Sequence, residues 1–385
     1  MTQKPTRGFD AVLLVLVLVF LVVGLVMVQS ASGPVASEHF GDAWHYVRRQ
    51  GMGMGVGAVG LVALAVMPHE WVRGSVWAFY GTCVVLLVVV LFFPAQNGAH
   101  RWISVPGVNF QPSEFAKIAV IGAMAHLVDR YKGKLDDWRN VAKILAVPAP
   151  VVGLLLLEPD FGTTVIVCGM SMLALYVGGL RTKWLWGLGL AGLTAGVPAM
   201  LLASYRVERL RAFFDPWADP SGNGYQTIQS MIAFHNGGLF GRGLGQGQAK
   251  HMFLPEPWTD FVGSVLAEEM GLIGILVLLT GYTLFVWRGL RIARSAPDLF
   301  GVVLATAITA AIGGQAFFNL GVAMGVVPNK GLVLPFVSYG ASAVMGHLVS
   351  IGILLNLSVY RGRQPRTPTI YRPTAVAEGL GTTGK

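Results

Sequence analysis

Long apolar runs without a single charge recur along this chain. Ala11 to Val28 is one and Val76 to Phe93 is another. Each matches the roughly 18–20 residues that a helix needs to cross the hydrocarbon of a bilayer. Hydrocarbon offers backbone amides no partner, so such runs must satisfy themselves as helices. The same reading gives ten spans: 10–31, 50–67, 74–93, 113–130, 142–157, 162–180, 184–204, 262–287, 299–325 and 339–358. The fifth and sixth are joined by the tight "LEPDFG" (Leu157–Gly162) and form a hairpin. Lys4 and Arg7 before the first run, and Ser30–Gly33 behind it, have the outline of a signal peptide. The apolar core of a signal peptide runs about 7–15 residues, and this one is longer, so a retained first helix is expected.

One connection differs from the rest. Residues 205–261 exceed ordinary loop lengths, and loops of that size are functional or disordered. Phe213, Trp217, Ile228, Phe234 and Phe240 give this one an apolar content that disorder lacks. "YQTIQSMIAF" (Tyr225–Phe234) places Ile228, Met231 and Ile232 at helical spacing, which predicts a short helix against the membrane face. A glycine-rich turn, "GGLFGRGLGQG", follows at 237–247. The organisation expected is a ten-helix membrane domain over 1–360, with 205–261 as a large extracytoplasmic loop, and a disordered cytoplasmic tail over 361–385, rich in Pro, Gly and Thr.

Composition sharpens this picture. Of 385 residues 54% are hydrophobic and 12% charged, against about a quarter charged in ordinary globular domains. The net charge of +9 says less than its distribution. With the N-terminus inside, 18 of the 28 Lys and Arg fall in inside segments, nine fall outside, and Lys117 lies within a span. The positive-inside rule then places both termini in the cytoplasm, and nothing in the pattern asks for nucleic acid. Cys83 and Cys168 lie in separate apolar runs, with neither metal spacing nor a disulfide framework, and read as packing residues.

Three outward segments hold nearly all the unusual polar residues. In "RWISVPGVNFQPSEFAK" (Arg101–Lys117), Pro112 and Ser113 mark a helix start, with Ser113 the candidate cap and Glu114 in the first turn. Lys117 shares a face with Glu114. The plain reading is a snorkelling lysine paired to a first-turn acid; the other is a cavity, because Lys117 lies a full turn inside an apolar helix. In "LPEPWTDFVGSVLAEE" (Leu254–Glu269), Asp260 follows Thr259, a candidate cap. A helix N-terminus favours an acid by about 0.3–1 kcal/mol, which alone would explain Asp260. Glu268 and Glu269 lie two turns deeper, where that explanation fails. On a helical wheel Glu268 falls about 80° from Asp260, so both can border one cavity. Glu256 before Pro257 is either a turn residue or a ligand. In "VPNKGLVLPFVSYGASA" (Val327–Ala343), two prolines and two glycines sit at membrane depth, where irregular backbone must be buried in protein or line a wet cavity. Lys330, Ser338 and Tyr339 can line one; a re-entrant packing turn is the alternative. Carboxylates and cations converging on the outer face suit a phosphate held by cations and a hydroxyl deprotonated by a carboxylate. These arguments leave a transporter with a midplane acid equally open.

"FQPSEFAK" (110–117), "EPDFGTT" (158–164), "GGLFGRGLGQ" (237–246), "FLPEPWTDF" (253–261), "EEMGLIG" (268–274) and "LPFVSYG" (334–340) go further. With them the chain resembles, across all ten spans, the SEDS family (shape, elongation, division, sporulation) of membrane peptidoglycan glycosyltransferases, whose ten-helix fold is related to the GT-C glycosyltransferases. "GLVMVQSAS" (24–32) and "DPWADPSGNGYQTIQS" (215–230) resemble its division branch more than its elongation branch. The chain departs from the family pattern at Trp258, where His usually precedes Thr-Asp, and at "SYGASA" in place of "SYGGSS". The resemblance implies polymerisation of lipid II on the outer face of the bacterial cytoplasmic membrane, by inverting displacement of its lipid pyrophosphate. It makes Asp260 the base and assigns pyrophosphate to Arg101 and Lys117, with Lys330 a weaker candidate. Glu114 would orient Lys117; Glu256, Glu268 and Ser338 complete the substrate-binding set. A divalent cation, Mg or Mn, can shield pyrophosphate, although no ligand cluster demands one. The implied partners are a class B penicillin-binding protein and the division machinery at the septum. The rival readings are an elongation polymerase, a lipid II flippase and a non-catalytic scaffold for the transpeptidase.

Overall fold

The computed structural model describes residues 8–96, 98–105, 108–201, 204–250 and 254–360. The tail expected over 361–385, and Phe253 of the acidic motif, lie outside them. The chain folds as thirteen α-helices among the described residues, with one small hairpin. The first three are α1 (Ala11–Phe40), α2 (His45–Val66) and α3 (His69–Val90). Strands β1 (Ile103–Val105) and β2 (Val108–Phe110) then pair antiparallel, Ile103 opposite Phe110, a feature the hydrophobic pattern does not announce. Next come α4 (Pro112–Arg130), α5 (Trp138–Leu145), α6 (Pro148–Leu157), α7 (Phe161–Val177) and α8 (Thr182–Leu201). The long connection holds α9 (Ser204–Phe214) and α10 (Tyr225–Gly237), the latter where helical spacing predicts it. α11 (Val262–Arg294), α12 (Leu299–Ala323) and α13 (Ala341–Val359) close the bundle.

Acids fix several starts. Asp10 accepts from Leu13 N–H at 3.0 Å and begins α1, and Asp160 does the same for α7 through Thr163 N–H at 3.1 Å. Two expected caps do not form. Ser113 lies inside α4, whose cap is Gln111, and α11 is preceded by Phe261, not Thr259. Among the described residues six helices are long and apolar enough to cross a membrane: α1, α2, α3, α11, α12 and α13. They are seven if α5 and α6, bent by 40° where Pro148 interrupts the amide ladder, count as one span. The apolar stretch of α13 is 89% buried and that of α12 67%, against 22% for α2 and α3. The last two helices therefore form the centre of the bundle. α2 reaches α13 through glycines: a Cβ on Gly53 would lie 2.9 Å from Ala341 Cα, and one on Gly57 2.8 Å from Leu348 Cδ1. Small residues four apart let backbones approach where no hydrophobic force drives them together.

α11 is not the continuous span expected from residue 262. It breaks at Gly271 (φ 67°, ψ −168°). The glycine-rich segment between α10 and residue 247 fills the break. Arg242 and Gly243 N–H donate to the carbonyls of Glu268 and Glu269 at 2.9 and 3.0 Å. In return Leu272 and Ile273 N–H donate to the carbonyls of Gly238 and Leu239 at 2.9 and 3.2 Å. Backbone groups on both sides of the break thus find partners away from water. Side chains lock the joint. Lys250 meets Glu269 Oε1 at 2.9 Å, and the Ser30 hydroxyl of α1 donates to the same oxygen at 2.6 Å. Cys83 is buried as read, whereas Cys168 lies on an exposed face and is not a core packing residue.

Gly271 adopts a conformation essentially reserved for glycine, and a Cβ there would lie 2.4 Å from Gly241 N. Gly271→Ala is expected to cost about 1–3 kcal/mol and to lower the unfolding temperature in detergent. Gly314→Ala on α12, where a Cβ meets nothing within 4 Å, leaves it unchanged. Equal unfolding temperatures for the two variants would remove the joint from the account.

Candidate active site

Four connections meet at one end of the bundle: those between α3 and α4, between α6 and α7, from Leu254 to α11, and between α12 and α13. The Arg101 guanidinium donates to the Pro159 carbonyl. Lys330 Nζ lies 3.5 Å from the Phe161 carbonyl and 5.0 Å above its ring. Tyr339 N–H donates to the Trp258 carbonyl at 2.8 Å. The α12–α13 connection is irregular and buried over Leu334–Ser338, so its backbone needs donors. Gln315 supplies the Val333 carbonyl at 2.9 Å. Asn319, one turn on, donates to both the Leu332 carbonyl and, at 2.8 Å, the Asp260 carbonyl. Gln50 of α2 brackets the far end, donating to Ser338 O at 3.1 Å and accepting from Gly340 N–H at 3.0 Å.

Asp260 sits where this scaffold closes. Its carboxylate is partly exposed, and a Cβ on Gly331 would lie 3.5 Å from Oδ2. The small residue leaves the oxygen open. Burial pushes the Asp260 pKa up, the Glu256 carboxylate adds to this, and bonds from Thr259 and backbone and the charge of Arg209 oppose it. Thr259 Oγ1 lies 3.0 Å from Asp260 Oδ1. Glu256 holds a left-handed backbone (φ 45°), its carbonyl accepting from Thr259 N–H at 3.0 Å, so it shapes the turn while its side chain stays exposed. Trp258 is buried against Tyr46 at 4.8 Å and acts as a wedge.

The other expected residues lie in different settings. Glu114 and Lys117 close on each other at 3.1 and 3.0 Å, both buried. With Gln315 and His347 they line a cavity of about 30 Å³, room for one water. Through Gln315 the pair connects to the loop over Asp260. The Ser338 hydroxyl accepts from Leu334 N–H at 2.8 Å and closes a turn. Glu268 accepts from Ala249 N–H at 2.8 Å and faces Asn236 of α10 and Arg242 of the segment that fills the α11 break. Its wheel angle to Asp260 does not apply, because α11 starts after Asp260. No three His, Cys, Asp or Glu gather as a metal ligand set among the described residues.

Sequence reasoning passes over Gln50, Gln315, Asn319 and Glu158. The first three are lone amides in apolar helices, and their spacing carries no trace of partners far along the chain. Glu158 is fully buried, and neither carboxylate oxygen has a partner. Burial pushes its pKa up to about 8, with the Asp160 carboxylate adding and Arg101 opposing.

Comparisons with known proteins place these features. The FtsW/RodA/SpoVE pattern, described as a cell cycle protein, matches residues 10–363. A probable peptidoglycan glycosyltransferase FtsW of Geobacter sp. (strain M18) is 39% identical over 362 residues, covering 92% of this chain and 98% of that one. Stage V sporulation protein E of Bacillus subtilis (strain 168) is 37% identical, covering 94% and 99%. A solved chain from work on the structural coordination of polymerization and crosslinking by a peptidoglycan synthase complex superimposes with a TM-score of 0.75 at 31% identity, covering 92% and 98%.

A carboxyl whose pKa is higher folded than unfolded loses stabilisation as pH rises between the two values. For Glu158 that window runs from near 4.5 to about 8. The protein is expected to unfold at progressively lower temperature across it, and Glu158→Gln to flatten this slope. A variant whose slope matches the wild type would show that Glu158 is not held protonated.

Proposed function

The chain belongs to the FtsW/RodA/SpoVE family of cell cycle proteins, and on that footing we propose a peptidoglycan polymerase whose base is Asp260. The supporting observation is one partly exposed, burial-raised carboxylate at the junction of four connections that also bear Arg101 and Lys330. The substrate is lipid II. The 4-hydroxyl of an acceptor GlcNAc attacks the anomeric carbon of the donor sugar. Its proton passes to Asp260 as the oxygen–carbon bond forms, and the bond to the lipid pyrophosphate breaks on the opposite face. An α-linked donor thus gives a β-linked product in one displacement, which needs one base and no covalent carboxylate partner.

A raised pKa suits this task, because a carboxylate with a higher pKa accepts a proton more readily than an ordinary aspartate. The leaving pyrophosphate falls to Arg101 and Lys330. Lys117 joins them when its pair with Glu114 opens. Glu256 lines the acceptor side, while Glu268 and Ser338 act through the backbone they hold. Mg or Mn can screen pyrophosphate from solvent, although among the described residues no three His, Cys, Asp or Glu gather as a ligand set.

The membrane setting completes the proposal. Ten spans arise when α4, α7, α8 and the bent α5–α6 pair cross beside the six strongest helices. Both termini then lie in the cytoplasm and the site on the outer face. The partner is a class B penicillin-binding protein, and the resemblance to the division branch supports a role for both at the septum. The elongation role uses the same chemistry. A flippase would need charges strung through the bilayer, and a scaffold would need no base.

Asp260→Asn is expected to reduce glycan polymer from labelled lipid II by about 10²–10⁴-fold, with or without the transpeptidase, while the unfolding temperature holds. Wild-type polymerisation should fall at acid pH, with a limb above the ordinary aspartate value. An active Asp260→Asn variant would remove the base assignment. A loss shared with lipid II translocation, in a protein that makes no polymer, would favour transport.

A further inference from the structure

Beside the Asp260 turn lies an open pocket of about 350 Å³, lined by α9, the start of α10 and the neighbouring connections. It touches the acidic turn at Pro255 and the α12–α13 connection at Asn329, next to Lys330. Arg209 lines it, and its charge also acts on Asp260. We infer that this pocket holds the acceptor N-acetylhexosamine, with its free hydroxyl directed to Asp260, and that Asn223, Gln226 and Asn329 read its polar groups. The inference rests on the polymerase reading and divides that site in two: cations for the donor pyrophosphate, amides for the acceptor sugar.

The lining chemistry favours a sugar. Three carboxamides and the Ser221, Thr227 and Tyr225 hydroxyls present donors and acceptors in a mixed array. A pyranose with an acetamido group carries the same mixture and no charge. A pyrophosphate would call for clustered cations, and among the described residues Arg209 is the one cation in the lining. Phe213 and Tyr225 add aromatic faces on which the apolar side of a sugar ring can rest. The volume lies at the small end of the ~300–1,000 Å³ typical of ligand pockets, which suits one sugar ring and not a prenyl chain. The amides are also set for a ligand. Asn329 Nδ2 donates to Gln226 Oε1 at 2.6 Å, which leaves the Gln226 N–H groups for another acceptor. Asn329 Oδ1 is buried with no donor. A dry acceptor is costly, and a sugar hydroxyl or acetamide N–H would relieve it after a small shift.

The test separates the two roles of lipid II. A lipid II analogue without its 4-hydroxyl can only donate. A disaccharide-pentapeptide without the pyrophosphate can only accept. Coupling of the pair is followed in the full-length protein with its transpeptidase. Losing one sugar hydrogen bond is worth roughly tenfold in affinity, so Gln226→Ala and Asn223→Ala are each expected to raise the KM for the acceptor about tenfold. The KM for the donor stays within about twofold, and unfolding temperatures serve as the folding control. Asn223 is exposed, so its variant reads out the site even if Gln226→Ala proves unstable. An unchanged acceptor KM in both variants, or a rise confined to the donor, overturns the inference and leaves the polymerase standing. Normal coupling by Asp260→Asn would instead overturn the polymerase reading itself.

Discussion

A buried backbone carbonyl with no water must be given a donor, and the site depends on how one side chain meets that demand. Asn319 projects from α12, the helix at the centre of the bundle, and is 1% exposed. Its amide donates to the carbonyls of Asp260 and Leu332 together. Two irregular segments, separated by more than fifty residues of chain, are thereby fixed to one rigid helix and to each other. Gln315 and Gln50 extend the clamp to Val333, Ser338 and Gly340. Without these amides the loops would carry unsatisfied polar groups, each costing about 1–3 kcal/mol. The carboxylate of Asp260 is left as the unclamped end of a clamped residue.

The same constraint governs the break in α11. Interrupting a helix at apolar depth frees carbonyls and amides on both sides, and the glycine-rich segment returns partners to the carbonyls of Glu268 and Glu269 and the amides of Leu272 and Ile273. Gly237 and Gly241 allow this approach, because a Cβ on either would lie about 2 Å from the backbone of α11. Glu268 and Glu269 secure the insert, which accounts for two acids so deep in an apolar region. The break ends the short helix that follows Asp260. On the proposed reading, that short helix and the two clamped loops form the floor on which a prenylated sugar is presented.

Much of the helical frame is legible in the sequence, since apolar runs between polar punctuation have one self-satisfying conformation in hydrocarbon. The helix at Tyr225 is legible through its spacing, and the convergence of Arg101, Asp260 and Lys330 through their place between runs. Other features are not. Gly271 is one glycine among fifty, and what makes it a break is a segment some thirty residues earlier. Asn319 looks like any amide tolerated in an apolar helix. The wheel that joined Asp260 to Glu268 assumed a helix that already included Asp260, two residues before α11 begins. Glu158 appears in the sequence as one letter of a turn, and its isolation from any partner exists only in three dimensions. Local pattern reports which elements form, whereas the donors that complete a buried loop come from anywhere in the chain.

The account comes down to Asn319 holding Asp260 in a defined, partly buried position. The acid limb of polymerisation in Asn319→Ala tests this most directly, measured beside the wild type in protein of verified fold. Releasing the Asp260 carbonyl should loosen the turn, admit water and move the limb to lower pH, toward an ordinary aspartate, with slower turnover at the plateau. A variant with the wild-type limb and plateau rate would contradict the claim that this amide sets the position and the basicity of Asp260.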